Sequence, residues 1–128
     1  MRVVGIGIDL VEVGRIARAL DRWGERFTER VFTPRELQRA GRGPNRVRRL
    51  AARFAAKEAV MKALGTGRSG VGWREIEITN EPSGAPRVRL AGRAARAAEA
   101  VGVARVHVSL THDLHYAAAF AVAEGPVP

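Results

Sequence analysis

Two carboxylates and two lysines are the residues of this chain with chemistry to offer. Asp9 interrupts a largely apolar run, Val3 to Val11, where a carboxylate is costly unless something compensates it. Glu58 and Lys62 stand four residues apart in a long helical segment, so they share one flank of it. A buried acid in a strand beside a helix with a second acid suits a hard cation. Magnesium commonly takes one or two protein carboxylates, several waters and phosphate oxygens. Blander alternatives stay open on these residues alone. Asp9 equally reads as a surface-turn or capping acid ahead of Gly14, and Glu58 with Lys62 as a solvated pair worth about 0.3 kcal/mol. Glu12 is a weaker ligand candidate, because strand alternation turns it away from the face of Asp9.

The cations are unevenly chosen. Of 22 basic residues, 20 are arginine, and the two lysines, Lys57 and Lys62, fall in the same short segment as Glu58. A compact ammonium is not equivalent to a planar guanidinium at a point-charge site, so lysine surviving there points either to such a site or to chance. Lys57, near the apolar stripe of its helix, fits a buried structural cation and a phosphate contact equally.

The formal net charge of +9 fits nucleic acid, an anionic membrane surface, or an acidic or phosphorylated partner. Aromatic residues make up only 5%, too few for an obvious base-stacking surface. No RRM, KH, zinc-finger or basic-zipper pattern appears, and a nucleic-acid reading leaves Asp9, Glu58 and Lys62 without a task. The absence of cysteine excludes thiol catalysis, cysteine-ligated zinc and disulfides. No apolar run approaches the ~18 residues of a membrane span, and an acid precedes any signal-like segment. The expectation is a cytoplasmic chain with neither nucleic acid nor membrane as partner.

With 46% hydrophobic residues in 128, the chain suffices for one domain, 1–128, with a real core. Arg2 to Val13 reads as a strand, apolar on both faces and so buried on both. A helix follows over 14–23. Thr33-Pro34-Arg35-Glu36 carries a helix start, with Thr as N-cap, Pro at N1 and Glu at N3. A long helix spans about 45–64, with an apolar stripe through Val47, Leu50, Phe54, Met61 and Leu64, and is closed by Gly65. After the glycine-rich stretch 66–72 come strands at 73–79 and 87–90, a helix at 91–101, and strands at 103–111 and 116–122. Residues 123–128 read as a frayed tail. Strands and helices mix without a βαβ rhythm, so the class is α+β.

Gly7-Ile8-Asp9, then 44 residues, then Phe54-Ala55-Ala56-Lys57-Glu58-Ala59-Val60-Met61-Lys62 resembles the signature of the 4'-phosphopantetheinyl transferase superfamily. The closer likeness is to its small, stand-alone branch, the holo-acyl-carrier-protein synthases. Phe32-Thr33-Pro34-Arg35-Glu36-Leu37, Leu64-Gly65-Thr66-Gly67, Trp73-Arg74-Glu75-Ile76-Glu77-Ile78 and His107 to Asp113 extend the likeness over almost the whole chain.

That resemblance implies an antiparallel sheet packed on a long central helix. It implies Mg2+-dependent transfer of phosphopantetheine from coenzyme A to a serine of apo acyl carrier protein. Asp9 and Glu58 would hold the metal, and Lys62 would balance charge on, or protonate, the departing bisphosphate. The general base is left between Glu58 and a water on the ion. Arg46, Arg53 and His112 resemble positions that hold the 3'-phosphate of coenzyme A; Lys57 and Gly65 join them as possible phosphate contacts, although a helix-ending glycine needs no ligand. Arg15, with Arg18 and Arg22 continuing its face, resembles the surface that meets the acidic carrier protein. Larger members carry a second acid two residues after the first; here that position is Val11, as is usual in the small branch. The branch also implies a homotrimer with sites between subunits.

Overall fold

The computed structural model describes residues 1–128. The chain runs β1 (Arg2–Glu12), α1 (Val13–Trp23), α2 (Glu25–Val31), α3 (Pro34–Ala40), α4 (Arg46–Leu64), β2 (Ile76–Asn80), β3 (Pro86–Leu90), α5 (Gly92–Ala100), β4 (Arg105–His112) and β5 (Tyr116–Gly125). β1, β5 and β4 form an antiparallel sheet in that order, and β2 and β3 a separate hairpin. The class is therefore α+β.

Helix α4 lies on the inner face of the larger sheet, and small residues make that approach possible. Ala117, Ala119, Ala121 and Ala123 of β5 point inward and are buried. On β1 the contact is closer still. A Cβ on Gly7 would sit 1.9 Å from the carbonyl oxygen of Ala59, and one on Gly5 2.0 Å from that of Ala63. Only glycine allows backbone to meet backbone at this distance. From Leu50 to Leu64 every residue of α4 except Lys62 is buried, a wider burial than one apolar stripe predicts. The alanines filling the other faces explain it.

Several expectations need correction. β1 is not buried on both faces of the single chain: Ile6, Ile8 and Leu10 are 60–66% exposed on the outer face. Helix α2 was not legible, because Gly24 breaks the periodicity before a helix of only seven residues. The segment from Trp73 begins as a 3₁₀ turn, with the strand starting only at Ile76. There the Glu75 carboxylate accepts from the backbone N–H groups of Gly72 and Arg93 and closes the turn. Ala123 to Gly125 are not frayed but pair with β1. The N-terminus of α3 is the expected capping box, with Glu36 N–H donating to Thr33 Oγ1 and Thr33 N–H to Glu36 Oε1.

Candidate functional site

The close passage of β1 over α4 brings Asp9 to the turn of helix that carries Glu58 and Lys62. Lys62 Nζ donates to the carbonyl of Ile8 at 2.7 Å and to Asp9 Oδ1 at 3.2 Å. Glu58 does not pair with Lys62, as an isolated helix would have it; its Oε1 accepts from Arg68 Nη2 at 2.7 Å. The two carboxylate side chains are 12% and 10% exposed. Asp9 Oδ2 is buried and has no hydrogen-bond partner. An orphaned carboxylate oxygen normally costs stability, unless a ligand supplies what the chain does not. A divalent cation fits: one oxygen of Asp9 is free, and Glu58 stands one helical turn before the Lys62 that Asp9 contacts. Two protein ligands leave most of an octahedral shell for water and substrate phosphate.

Lys57 belongs elsewhere, and the phosphate contact considered for it is corrected. It is fully buried, 2.7 Å from Glu36 Oε1, and also donates to the carbonyls of Trp73 at 3.0 Å and Ile76 at 2.5 Å. Three partners use all three of its donors. Burial pushes the ammonium below its usual pKa, with Glu36 opposing that shift. Glu36 in turn accepts from Ile78 N–H through Oε2, so the pair ties α3 and β2 to α4.

A second polar cluster lies two turns before Lys62. Arg53 is 7% exposed and donates through Nη2 to Asn80 Oδ1 at 2.9 Å, while its buried Nε has no partner. Burial holds the guanidinium below its usual range; Glu36 opposes this, and the charges of Arg39 and Arg49 add to it. Arg53, Arg49, Asn80 and His112 line one cleft of about 280 Å³ between α4, the β2–β3 hairpin and β4. An anion there would relieve the crowding of like charge. His112 and Arg53 are thus brought together, as expected, but Arg46 is not among the lining residues. Arg49 takes its place, one turn before Arg53 on the same helix face. Asn80 was also missed, since a turn asparagine carries no signal of its own. Gly65 closes α4 with φ 75° and its amide engaged by the Lys62 carbonyl, so it has no free N–H for a phosphate.

Arg15 lies with its guanidinium 5.3 Å from the Phe54 ring, in the wall of a groove of about 760 Å³. Arg26 and Arg30 of α2, Trp23, Trp73 and Arg68 share that wall. Arg18 and Arg22 do not; Arg22 instead lies over Trp23. The basic face expected along α1 therefore turns onto α2 after Arg15. Arg68, which touches both this groove and Glu58, was not singled out by sequence, because nothing marks one arginine among 20.

Comparison with known proteins gives a consistent result. Residues 5–121 match the model of the 4'-phosphopantetheinyl transferase superfamily. A holo-acyl-carrier-protein synthase of Methylobacterium sp. (strain 4-46) is 57% identical over 95% of this chain and 94% of its own. Among solved structures, the holo-acyl-carrier-protein synthase of Neisseria meningitidis is 38% identical at a TM-score of 0.86, covering 96% of this chain and 99% of that one. The Helicobacter pylori enzyme, solved in complex with coenzyme A, is 29% identical at 0.82, covering 93% and 99%.

Proposed function

The chain belongs to the 4'-phosphopantetheinyl transferase superfamily, in its holo-acyl-carrier-protein synthase branch, and we propose that Asp9 and Glu58 would hold the magnesium ion of its reaction. The reaction moves 4'-phosphopantetheine from coenzyme A to a serine of apo acyl carrier protein. The serine oxygen bonds to the phosphorus that carries pantetheine, the bond bridging the pyrophosphate breaks, and adenosine 3',5'-bisphosphate leaves. The buried, unpartnered Oδ2 of Asp9 carries the metal assignment. When bound, the ion supplies Lewis-acid neutralisation of pyrophosphate charge.

The remaining work falls to the chain's own residues. Lys62 Nζ, held at the edge of Asp9, places a compact positive charge where the departing bisphosphate gains negative charge. Glu58, one turn from Lys62 on α4, is the side chain suited to accept the serine proton. The cleft of Arg49, Arg53 and His112 suits the 3'-phosphate of coenzyme A, with Arg46 on the neighbouring turn of α4. The groove of Arg15, Arg26 and Arg30 suits an acidic carrier protein, with Arg18 and Arg22 extending its field along α1.

We infer further that the enzyme is a homotrimer. The outer sheet face exposes Ile6, Ile8, Leu10, Tyr116 and Phe120 together, apolar surface of the kind that marks a protein interface, and neighbouring copies would cover it. No helix is long and apolar enough to cross a membrane. A cytoplasmic setting, with the product used in fatty acid biosynthesis, agrees with this single-domain reading.

Mass spectrometry of apo carrier protein incubated with coenzyme A tests the function. A phosphopantetheine mass gain is expected with Mg2+ and none with chelator. Lys62→Ala should lower the rate roughly 100-fold while carrier-protein affinity holds. Near-normal turnover would remove Lys62 from its role.

A further inference from the structure

Arg68 touches both halves of the molecule's chemistry. Its Nη2 lies 2.7 Å from Glu58 Oε1, and its guanidinium carbon lies 5.7 Å from the centre of the Trp73 ring, in the groove wall shared with Arg15, Arg26 and Arg30. The Arg68 side chain is 57% exposed, whereas that of Glu58 is 10% exposed. The residue rides on the segment between Gly65, which ends α4, and Gly72, which Glu75 anchors.

A dication and a guanidinium compete for one carboxylate. Resting on the Asp9 and Glu58 metal assignment above, we propose that Arg68 is a positioning residue that couples metal binding to docking of the acidic carrier protein. Without metal, Arg68 occupies Glu58 and offsets its charge. When the ion takes Glu58, the guanidinium keeps the face of Trp73, 5.7 Å away, as its cation–π partner, and this fourth cation of the groove wall, released from its carboxylate, is free to face the protein partner. The coupling is reciprocal: an acidic partner that draws Arg68 into the groove leaves Glu58 open for metal.

Manganese titration followed by electron paramagnetic resonance, on the full chain without coenzyme A, tests this directly. A half-exposed ion pair is weak, so Arg68→Ala should bind Mn2+ about fivefold more tightly than wild type, and Arg68→Lys should return toward wild type. In calorimetry, Mg2+ should strengthen apo carrier-protein binding about fivefold in wild type and leave Arg68→Ala unmoved, a difference that a purely structural role would not produce. Unchanged Mn2+ affinity in Arg68→Ala, or equal strengthening by Mg2+ in both proteins, overturns the coupling. Asp9→Asn separates the two ideas. If it binds Mn2+ as wild type does, the metal assignment falls and the coupling with it. If it loses Mn2+ while Arg68→Ala binds like wild type, only the coupling falls.

Discussion

Replacing Gly7 by alanine tests how the fold places the site. The added Cβ would lie 1.9 Å from the Ala59 oxygen and 2.9 Å from both the Ala59 carbonyl carbon and the Ala63 amide nitrogen. All three are backbone atoms of a buried helix, so none can swing aside as a side-chain end can. Relief requires β1 and α4 to separate by about 1 Å, and forced overpacking of this kind costs about 1–3 kcal/mol. At about 4 °C per kcal/mol for a chain of this size, the midpoint of thermal unfolding should fall by about 4–12 °C. Asp9 lies two residues along the displaced strand, so Gly7→Ala should also turn over roughly 100-fold more slowly at temperatures where it is fully folded, the cost of a 1 Å misplacement at a reacting centre. Circular dichroism and the transfer assay on the same sample read both effects. Gly14→Ala is the control, because its Cβ meets only the far end of the Arg18 side chain at 3.2 Å; it should match wild type or exceed its stability. If Gly7→Ala melts and turns over as Gly14→Ala does, the close approach is not what positions Asp9.

Three further outcomes follow from the same geometry. Lys57→Met leaves Glu36 buried without its counter-charge and should destabilise by about 3 kcal/mol in urea denaturation, with Lys57→Met/Glu36→Gln recovering part of the loss; a neutral single variant would show that the pair holds nothing together. Glu75 has its pKa lowered below 4.5, chiefly by the backbone N–H groups of Gly72 and Arg93. The unfolded chain therefore binds that proton more readily, and the contribution of Glu75 is present above about pH 4.5 and lost as pH falls through its depressed pKa. Denaturant midpoints measured down that acid limb should fall less steeply for Glu75→Gln than for wild type. Ile8→Asp, in the centre of the exposed apolar face, should sediment as a monomer where wild type sediments as a larger species; wild type running as a monomer would refute assembly through that face.

Much of this was readable from residue order. The capping box at Thr33, the stop at Gly65 and the length of α4 are local signals, and each needs only neighbours within four residues. The meeting of Asp9 with the turn of Glu58 and Lys62 came from the family resemblance, because on the residues alone Asp9 read equally as a surface-turn or capping acid. What the chain order hid is decided by distant contacts. Lys57 was balanced between two roles until the fold put Glu36, Trp73 and Ile76 around its ammonium. Arg49, not Arg46, lines the cleft beside Arg53 because the β2–β3 hairpin, more than 25 residues away, sets which turn of α4 faces it. Arg26, Arg30 and Arg68 stayed invisible because helix α2 is short and arginine is common throughout the chain.

Phosphopantetheine transfer by this chain is proposed to depend on a metal ion held by Asp9 and Glu58. The most direct test is the rate of phosphopantetheine transfer to apo carrier protein as Mg2+ is titrated, for wild type and Asp9→Asn side by side. Wild type should rise from no turnover in chelator to saturation. Asp9→Asn should need far more Mg2+ and reach a rate at least roughly 100-fold lower, while still binding coenzyme A through the Arg49–Arg53–His112 cleft. An Asp9→Asn curve that overlays that of wild type would show that Asp9 does not hold the ion.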